Sequence, residues 1–152
     1  MYRCFGKPQN SNEFLRHFVN KTKSLAHEGL LFREQIIKIN IHALICDAPA
    51  KSYVLQVKGH TGYSSYTKCT IEGKYKERRI CFPGEANELR SDEFKNLIYD
   101  DYHIGETSLT ELPNFDLVTS VALDYMHLIC LGIMRKLLNL WLSSPLTVKL
   151  GA

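Results

Sequence analysis

Asp47 is the first residue whose type and position suit metal chemistry. It follows the run 36–46, which is rich in β-branched residues and which we interpret as a strand. In open α/β sheets, ligands bind outside the carboxyl ends of strands, and an ionised Asp is a hard oxygen ligand for Mg²⁺ or Mn²⁺. The alternative is that Asp47 only caps a helix that begins at Ala48 or Pro49. Asp47 is therefore a candidate ligand with a structural alternative.

Asp124 and His127 form the second candidate group. They are three residues apart in a segment that we predict to be helical, so they share one face. On that face they could bind a metal together or form a carboxylate–imidazole pair. The alternative is a buried hydrogen-bonded pair that only orients the helix.

The stretch "GHTGYSSYTKCT", residues 59–70, resembles half of a metal-binding knuckle, and the alternative is a surface turn that holds no metal. His60 and Cys69, together with Cys81 and His103, are side chains of the kinds that zinc takes, usually four to a site. A C-x-x-C pair would need a second cysteine at position 66, where the chain has Tyr66. A phenol is a poor zinc ligand because its pKa is about 10. We therefore expect this chain to bind zinc weakly or not at all.

Charge is unevenly spread along the chain. The net charge is +3, but residues 51–90 carry a balance of +4 and residues 91–127 a balance of −7. The basic stretch from Lys68 to Arg79 contains Tyr75 and follows Tyr63 and Tyr66, a composition that suits nucleic-acid phosphates and bases. The candidate contacts are Lys68, Lys74, Lys76, Arg78 and Arg79. The alternative is a solvated basic face without a partner.

Composition limits the class of protein. With 152 residues, 45% of them hydrophobic and 23% charged, the chain fits one globular domain. The five cysteines are scattered and odd in number, which favours reduced thiols and an intracellular, non-secreted protein. The longest apolar run, 123–142, contains Asp124, His127, Arg135 and Lys136, which argues against a membrane span and favours a buried helix.

The periodicity of apolar residues predicts an α/β fold. A helix should start at Ser11 or Asn12 and stop at Gly29. The strand 36–46 should become fully buried in "ALIC", and a short helix should begin at Pro49. Short strands are predicted in "YTKCTI" and "RRICF", a short helix over 91–100, a loop over 101–116 and a final helix over about 121–142.

Several longer motifs resemble, in their order, those of CACTA (En/Spm-type) DNA transposases. They are "FGKP…FLRHFV", "ICDAPAKSYVLQVKGHTGY", "KCTIEGKY", "RRICFPG", "LRSDEFKN", "HIGETSL" and "LDYMHLICLGIMRKLLNLWL". The resemblance covers roughly residues 5 to 142. It implies an RNase H-like core that uses two divalent metals, Mg²⁺ or Mn²⁺, held by three acidic residues, to cut and join DNA.

The resemblance also assigns roles to single residues. Asp47 matches the family's second catalytic aspartate, and Asp124 and His127 match its D-x-M-H motif. Cys69 matches one cysteine of the family's C-x-x-C pair, so His60, Cys69, Asp124 and His127 would remain for a weak metal site. "HIGETSL" departs from the family's usual H-x-G-x-S-P-L. The first acid would lie before residue 1, and the third would lie after "LLNLWL".

From the resemblance we expect a partial RNase H-like core with a small β-rich insertion and a long C-terminal helix. Its parts would be residues 1–58 of the core, an insertion over 59–116 and the C-terminal core helix and tail over 117–152. The chain would be a transposon-derived nuclear protein without DNA cleavage activity alone. It could oligomerise, and a further possibility is that another chain supplies the missing acids. The alternative is a non-enzymatic DNA- or protein-binding module.

Overall fold

The computed structural model describes residues 8–59, 69, 71–76, 79–83, 85, 87 and 91–143. The helices are α1 (Ser11–His27), α2 (Ala48–Leu55), α3 (Ser91–Lys95) and α4 (Arg135–Ser143), with a 3-10 turn over Ser108–Glu111 and a π-helical segment over Met126–Met134. The strands are β1 (Leu30–Phe32), β2 (Gln35–Ile37), β3 (Leu44–Cys46), β4 (Lys74–Lys76), β5 (Arg79–Cys81) and β6 (Val121–Leu123). This mixture of helices and small sheets confirms the general class that the sequence predicts.

Helix α1 starts and ends where the sequence predicts. The Asn10 side chain accepts hydrogen bonds from the backbone N–H groups of Asn12, at 2.9 Å, and Glu13, at 3.3 Å. These bonds satisfy donors that the first helical turn leaves unpaired. After the helix ends at His27, Gly29 takes a φ of +82°, a left-handed conformation that favours glycine.

The single strand predicted over 36–46 is two strands with different partners. β2 pairs with β1 in an antiparallel hairpin, and β3 begins only at Leu44. Between them, Ile39 donates its N–H to the Leu25 carbonyl of α1, which takes the chain away from the hairpin. The predicted full burial of "ALIC" is also wrong, because Ile45 is 68% exposed.

β3 pairs in parallel with β6, and this pairing corrects the predicted start of the final helix. The register places Leu44 opposite Val121 and Cys46 opposite Leu123. Residues 121–123 are therefore a strand, and helical structure follows it. The sequence did not indicate this boundary because residues 121–123 adjoin a long apolar run. Periodicity alone does not distinguish a short buried strand from the end of a helix.

The buried core lies between α1, α2 and the segment 94–121. Buried side chains come from α1, from the end of α2 and from much of the segment predicted as an insertion. They are Leu15, Val19, Val54, Leu55, Val57, Phe94, Tyr102, Leu109, Leu112, Phe115, Leu117, Val118 and Val121. Backbone hydrogen bonds from Lys58 to Tyr102 and from Ile104 to Gln56 join the two halves of the chain. Residues 94–115 thus share one core with α1 and α2.

The π-helical segment and α4 follow each other directly and form the long C-terminal helix. No residue of either is buried. The "RRICF" strand is present as β5, which pairs antiparallel with β4, whereas "YTKCTI" lies mostly outside the described residues. Among the described residues, no helix is both long enough and apolar enough to cross a membrane.

Candidate functional site

Asp47 lies at the junction of β3 and α2. Its Oδ1 accepts a hydrogen bond from the Ala50 N–H at 2.7 Å, so the carboxylate caps α2 as one interpretation of the sequence predicted. Its other oxygen, Oδ2, has no hydrogen-bond partner in the part of the chain that the structure describes. Capping therefore leaves one carboxylate oxygen for a further ligand.

Asp124 follows β6 as Asp47 follows β3. Because β3 and β6 are parallel neighbours and Cys46 lies opposite Leu123, both carboxylates come at the same edge of the sheet. The Asp124 N–H donates to the Cys46 carbonyl at 2.8 Å, which extends the ladder to this residue. The sequence indicated Asp47 at this edge. It missed that Asp124 follows the neighbouring strand, because residues 121–123 were assigned to the helix.

Asp124 and His127 form a hydrogen-bonded pair at the start of the C-terminal helix. Asp124 Oδ2 lies 2.6 Å from His127 Nδ1 and also accepts the His127 backbone N–H at 3.0 Å. These bonds, the side-chain one first, lower the pKa of Asp124 below its usual value. With Nδ1 occupied, Nε2 is the ring nitrogen left for a metal or a proton, an arrangement common for metal-binding histidines.

A cavity of about 480 Å³ opens beside these groups. Its walls are mainly apolar and come from the start of α2, the end of β6 and the C-terminal helix. They are formed by Asp47, Ala48, Pro49, Leu123, Asp124, His127, Leu128, Gly132, Ile133 and Lys136. Two carboxylates, an imidazole and an ammonium group thus face one cavity whose apolar walls strengthen electrostatic interactions within it.

Lys51 is a charged residue of this region that the sequence analysis did not single out. Its side chain is only 2% exposed, and its Nζ donates a hydrogen bond to the Val121 carbonyl at 2.6 Å. The one available signal was its position in "APAKSYVL", one helical turn after Asp47, on a helix whose later residues are buried. A lysine is almost never fully buried without a partner, so the type of residue argued against the core.

The predicted metal set is not assembled by the described residues. His60 lies outside them, while Cys69 is half-buried and described. Throughout the described ranges, no three His, Cys, Asp or Glu side chains lie close enough to hold a metal ion. Asp124 and His127 are together, and Cys69 does not join them in such a group.

Two of the predicted nucleic-acid contacts can be placed with their side chains. Lys74 and Lys76 are exposed on β4, and Arg79 lies opposite Lys76 in the register of the β4–β5 hairpin. Because side chains alternate along a strand, Lys74 and Lys76 are on one face, and the exposed Tyr75 is on the other. Lys68 and Arg78 lie outside the described residues.

Comparisons with known proteins assign neither a family nor a function to this chain. No family model, no curated protein and no solved structure matches this chain.

Proposed function

We propose that this chain is a transposon-derived protein that corresponds to the middle of a DDE/D-type DNA transposase and contains part of an RNase H-like core. The observation that carries the proposal is the placement of Asp47 and Asp124 directly after two neighbouring parallel strands. Acidic groups at such an edge are suited to hold a divalent metal against a phosphodiester. The motifs that resemble CACTA transposases support the same assignment, and the nucleus would be its place of action.

The two carboxylates at this edge are hard oxygen ligands of the kind that a divalent cation takes. Asp47 retains one oxygen beyond its capping bond, and the lowered pKa of Asp124 favours its ionised form. Mg²⁺ or Mn²⁺ would take oxygen ligands from these two carboxylates and would polarise a phosphate oxygen of the substrate. His127 would orient Asp124 through its Nδ1 hydrogen bond, and Lys136 would attract the phosphate into the cavity.

The small sheet supports the view that further segments complete the core. Parallel sheets are usually covered on both faces, and two isolated strands are marginally stable. β3 and β6 form a two-stranded parallel sheet, and Ile45 of β3 is exposed to solvent. Additional strands beside β3 would extend the sheet and bring the remaining catalytic acids, and a helix packed on this face would cover Ile45. On this proposal the described residues supply only part of the set of metal ligands, and we expect no DNA cleavage by this segment alone.

A titration with Mn²⁺ tests the two-carboxylate site. We expect Asp47→Asn and Asp124→Asn each to weaken Mn²⁺ binding by about tenfold or more. Asn caps a helix as well as Asp does, so Asp47→Asn should leave the melting temperature nearly unchanged. Asp101→Asn is the matched control, because Asp101 is a fully solvated carboxylate whose ion pair with Lys58 is long, at 3.8 Å. Equal Mn²⁺ affinity of the wild type and Asp47→Asn would show that Asp47 is not a metal ligand and would contradict the proposed site.

A DNA cleavage assay tests the proposed lack of activity. The segment should neither nick nor join DNA that carries transposon ends, in Mg²⁺ or in Mn²⁺. Reproducible cleavage that disappears in Asp47→Asn would show that the segment is a complete enzyme.

A DNA-binding module is the second candidate function, favoured by the exposed basic β4–β5 hairpin. If Lys74 and Lys76 neutralise phosphates, binding weakens steeply with salt. Replacing both by Ala should reduce the slope of log K against log salt by about 0.9 for each phosphate that is no longer neutralised. Replacing the exposed Lys21 and Lys95 by Ala is the control and should leave the slope unchanged. An equal slope in wild type and hairpin variant would show that this face does not bind phosphate.

A further inference from the structure

We propose that Lys51 is a positioning residue, which holds the strand that ends at Asp124 against the helix that begins at Asp47. The inference rests on the proposed function, because it concerns the geometry of the same two carboxylates. It assigns the buried lysine a role toward the site without placing it in contact with metal or substrate.

Lys51 is connected to Asp47 through the backbone of the first turn of α2. It lies one turn into α2, and its backbone N–H donates to the Asp47 carbonyl at 2.8 Å. Any displacement of the first turn of α2 therefore moves Lys51 and Asp47 together.

The side chain of Lys51 connects the same turn to β6. Its Nζ donates to the carbonyl of Val121, a residue with 0% exposure that lies three positions before Asp124. A charged donor makes a shorter and stronger hydrogen bond than a neutral one, and burial excludes the water that would compete for this carbonyl. The ammonium thus fixes the start of β6 against the helix that carries Asp47.

Stability alone does not account for a lysine at this position. Removing a buried charge from water is costly, and replacing buried charged groups by apolar ones of similar volume is often neutral or stabilising. Methionine has nearly the length of the lysine stem and would fill the same space between α2 and β6. Lys51→Met should therefore leave the melting temperature unchanged or raise it, while β6 loses its side-chain link to α2.

Hydrogen exchange of single amides separates positioning from general stability. The Asp124 N–H, bonded to the Cys46 carbonyl, reports on the carboxyl edge of the sheet. The Ile104 N–H, bonded to the Gln56 carbonyl, reports on a different part of the core. In Lys51→Met we expect the Asp124 amide to exchange about tenfold faster or more, with Ile104 unchanged. Lys51→Arg should restore slow exchange, and Lys21→Met should change neither amide.

Mn²⁺ affinity is the second readout. Loss of a residue that orients metal ligands typically weakens affinity about 10- to 100-fold, so Lys51→Met should show such a loss and Lys51→Arg a smaller one. If no variant or wild type binds Mn²⁺ but the Asp124 amide still responds to Lys51→Met, the proposed function fails and the positioning role stands.

Two results would overturn the inference. One is unchanged Asp124 exchange in Lys51→Met. The other is faster exchange of both amides in equal proportion, with a lower melting temperature, which would show that Lys51 acts only in stability. Should Lys51→Met fail to fold, Lys51→Gln, which removes the charge but keeps a hydrogen-bond donor, replaces it in the same measurements and is judged by the same two results.

Discussion

His103 shows how burial changes the chemistry of one residue outside the carboxylate edge. Its ring packs edge-on against Phe94, with centroids 4.6 Å apart, and against Tyr102, at 5.4 Å. Both ring nitrogens are buried without a hydrogen-bond partner among the described residues. Burial lowers the pKa of His103 below its ordinary 6.5, and nearby Asp100 offsets this only in part. The folded protein therefore resists protonation of this imidazole more than the unfolded chain does.

The lowered pKa of this histidine predicts a loss of stability in mild acid. Below about pH 6.5 the unfolded chain takes up a proton at this residue that the folded chain resists, so the free energy of unfolding should fall as the pH is lowered from about 7.5 to about 5.5. Urea unfolding at the two pH values measures the change. In His103→Gln, which does not titrate, the fall should be clearly smaller. An equal fall in both proteins would assign the effect to other groups.

Three acidic residues affect the stability of the fold at lower pH than His103 does. Hydrogen bonds from Arg16 and Lys23 lower the pKa of Glu111, and those from His127 lower that of Asp124. Burial raises the pKa of Asp116, but hydrogen bonds from Ser91 and from the backbone of Val118 and Thr119 outweigh it and lower the pKa. Stability from these groups is present above their ordinary pKa values of 3.8 to 4.5 and is lost below them, which separates them from His103.

Single residues were predictable where local chemistry decided their place. The capping role of Asp47 and the Asp124–His127 pair need only a helix start and a spacing of three residues, and both are present. Lys51 was not predictable in this way, because its burial depends on β6 arriving 70 residues later along the chain. No pattern within α2 reports that distant contact.

At the scale of elements, the link between α1 and the β1–β2 hairpin depends on Gly29. A Cβ at this position would lie 2.6 Å from Ile36 Cγ2 and 3.0 Å from the Ile37 carbonyl oxygen. The φ of Gly29 is also positive, a conformation that residues other than glycine rarely adopt. Gly29→Ala should therefore destabilise the fold by about 2 kcal/mol, measured by urea unfolding. Gly105→Ala is the control, because its Cβ would meet only Gln56 Oε1 at 3.8 Å. A loss of similar size in both variants would mean that the tight approach at Gly29 is not the cause.

The same hairpin shows why the sequence did not predict the boundaries of β1, β2 and β3. Its turn places Arg33 and Glu34 at positive φ, of 47° and 64°, where Asn and Gly are the usual residues. Without a turn signal in "LLFREQII", the alternation that begins at Ile37 read as one long strand. The pairing of β2 with β1 and of β3 with β6 divides that stretch, and the partner of β3 is distant in the sequence.

At the scale of the whole molecule, the core and the uncovered apolar surface lie on different elements. The core joins α1, α2 and segment 94–121. By contrast, large exposed side chains gather on the β1–β2 hairpin and on the C-terminal helix. The apolar run 123–142 predicted a buried helix, and this is wrong for the described chain, because no residue of the π-helical segment or of α4 is buried. Periodicity reports that a face is apolar, whereas its burial depends on the partner.

The C-terminal helix therefore predicts self-association of the isolated chain. Leu131, Met134, Leu138 and Trp141 follow helical spacing on one face, and each is exposed, Trp141 by 54%. Trp141 is the only tryptophan of the chain, so its fluorescence should shift to shorter wavelength as protein concentration rises and this face becomes covered. Leu138→Glu should abolish the shift and lower the apparent mass in sedimentation, because association would then bury a charge. Asn139→Glu adds the same charge to the exposed neighbouring position and should behave as wild type. A concentration-independent spectrum and a monomeric mass in the wild type would contradict the prediction, and the exposed face would then tolerate water in the isolated chain.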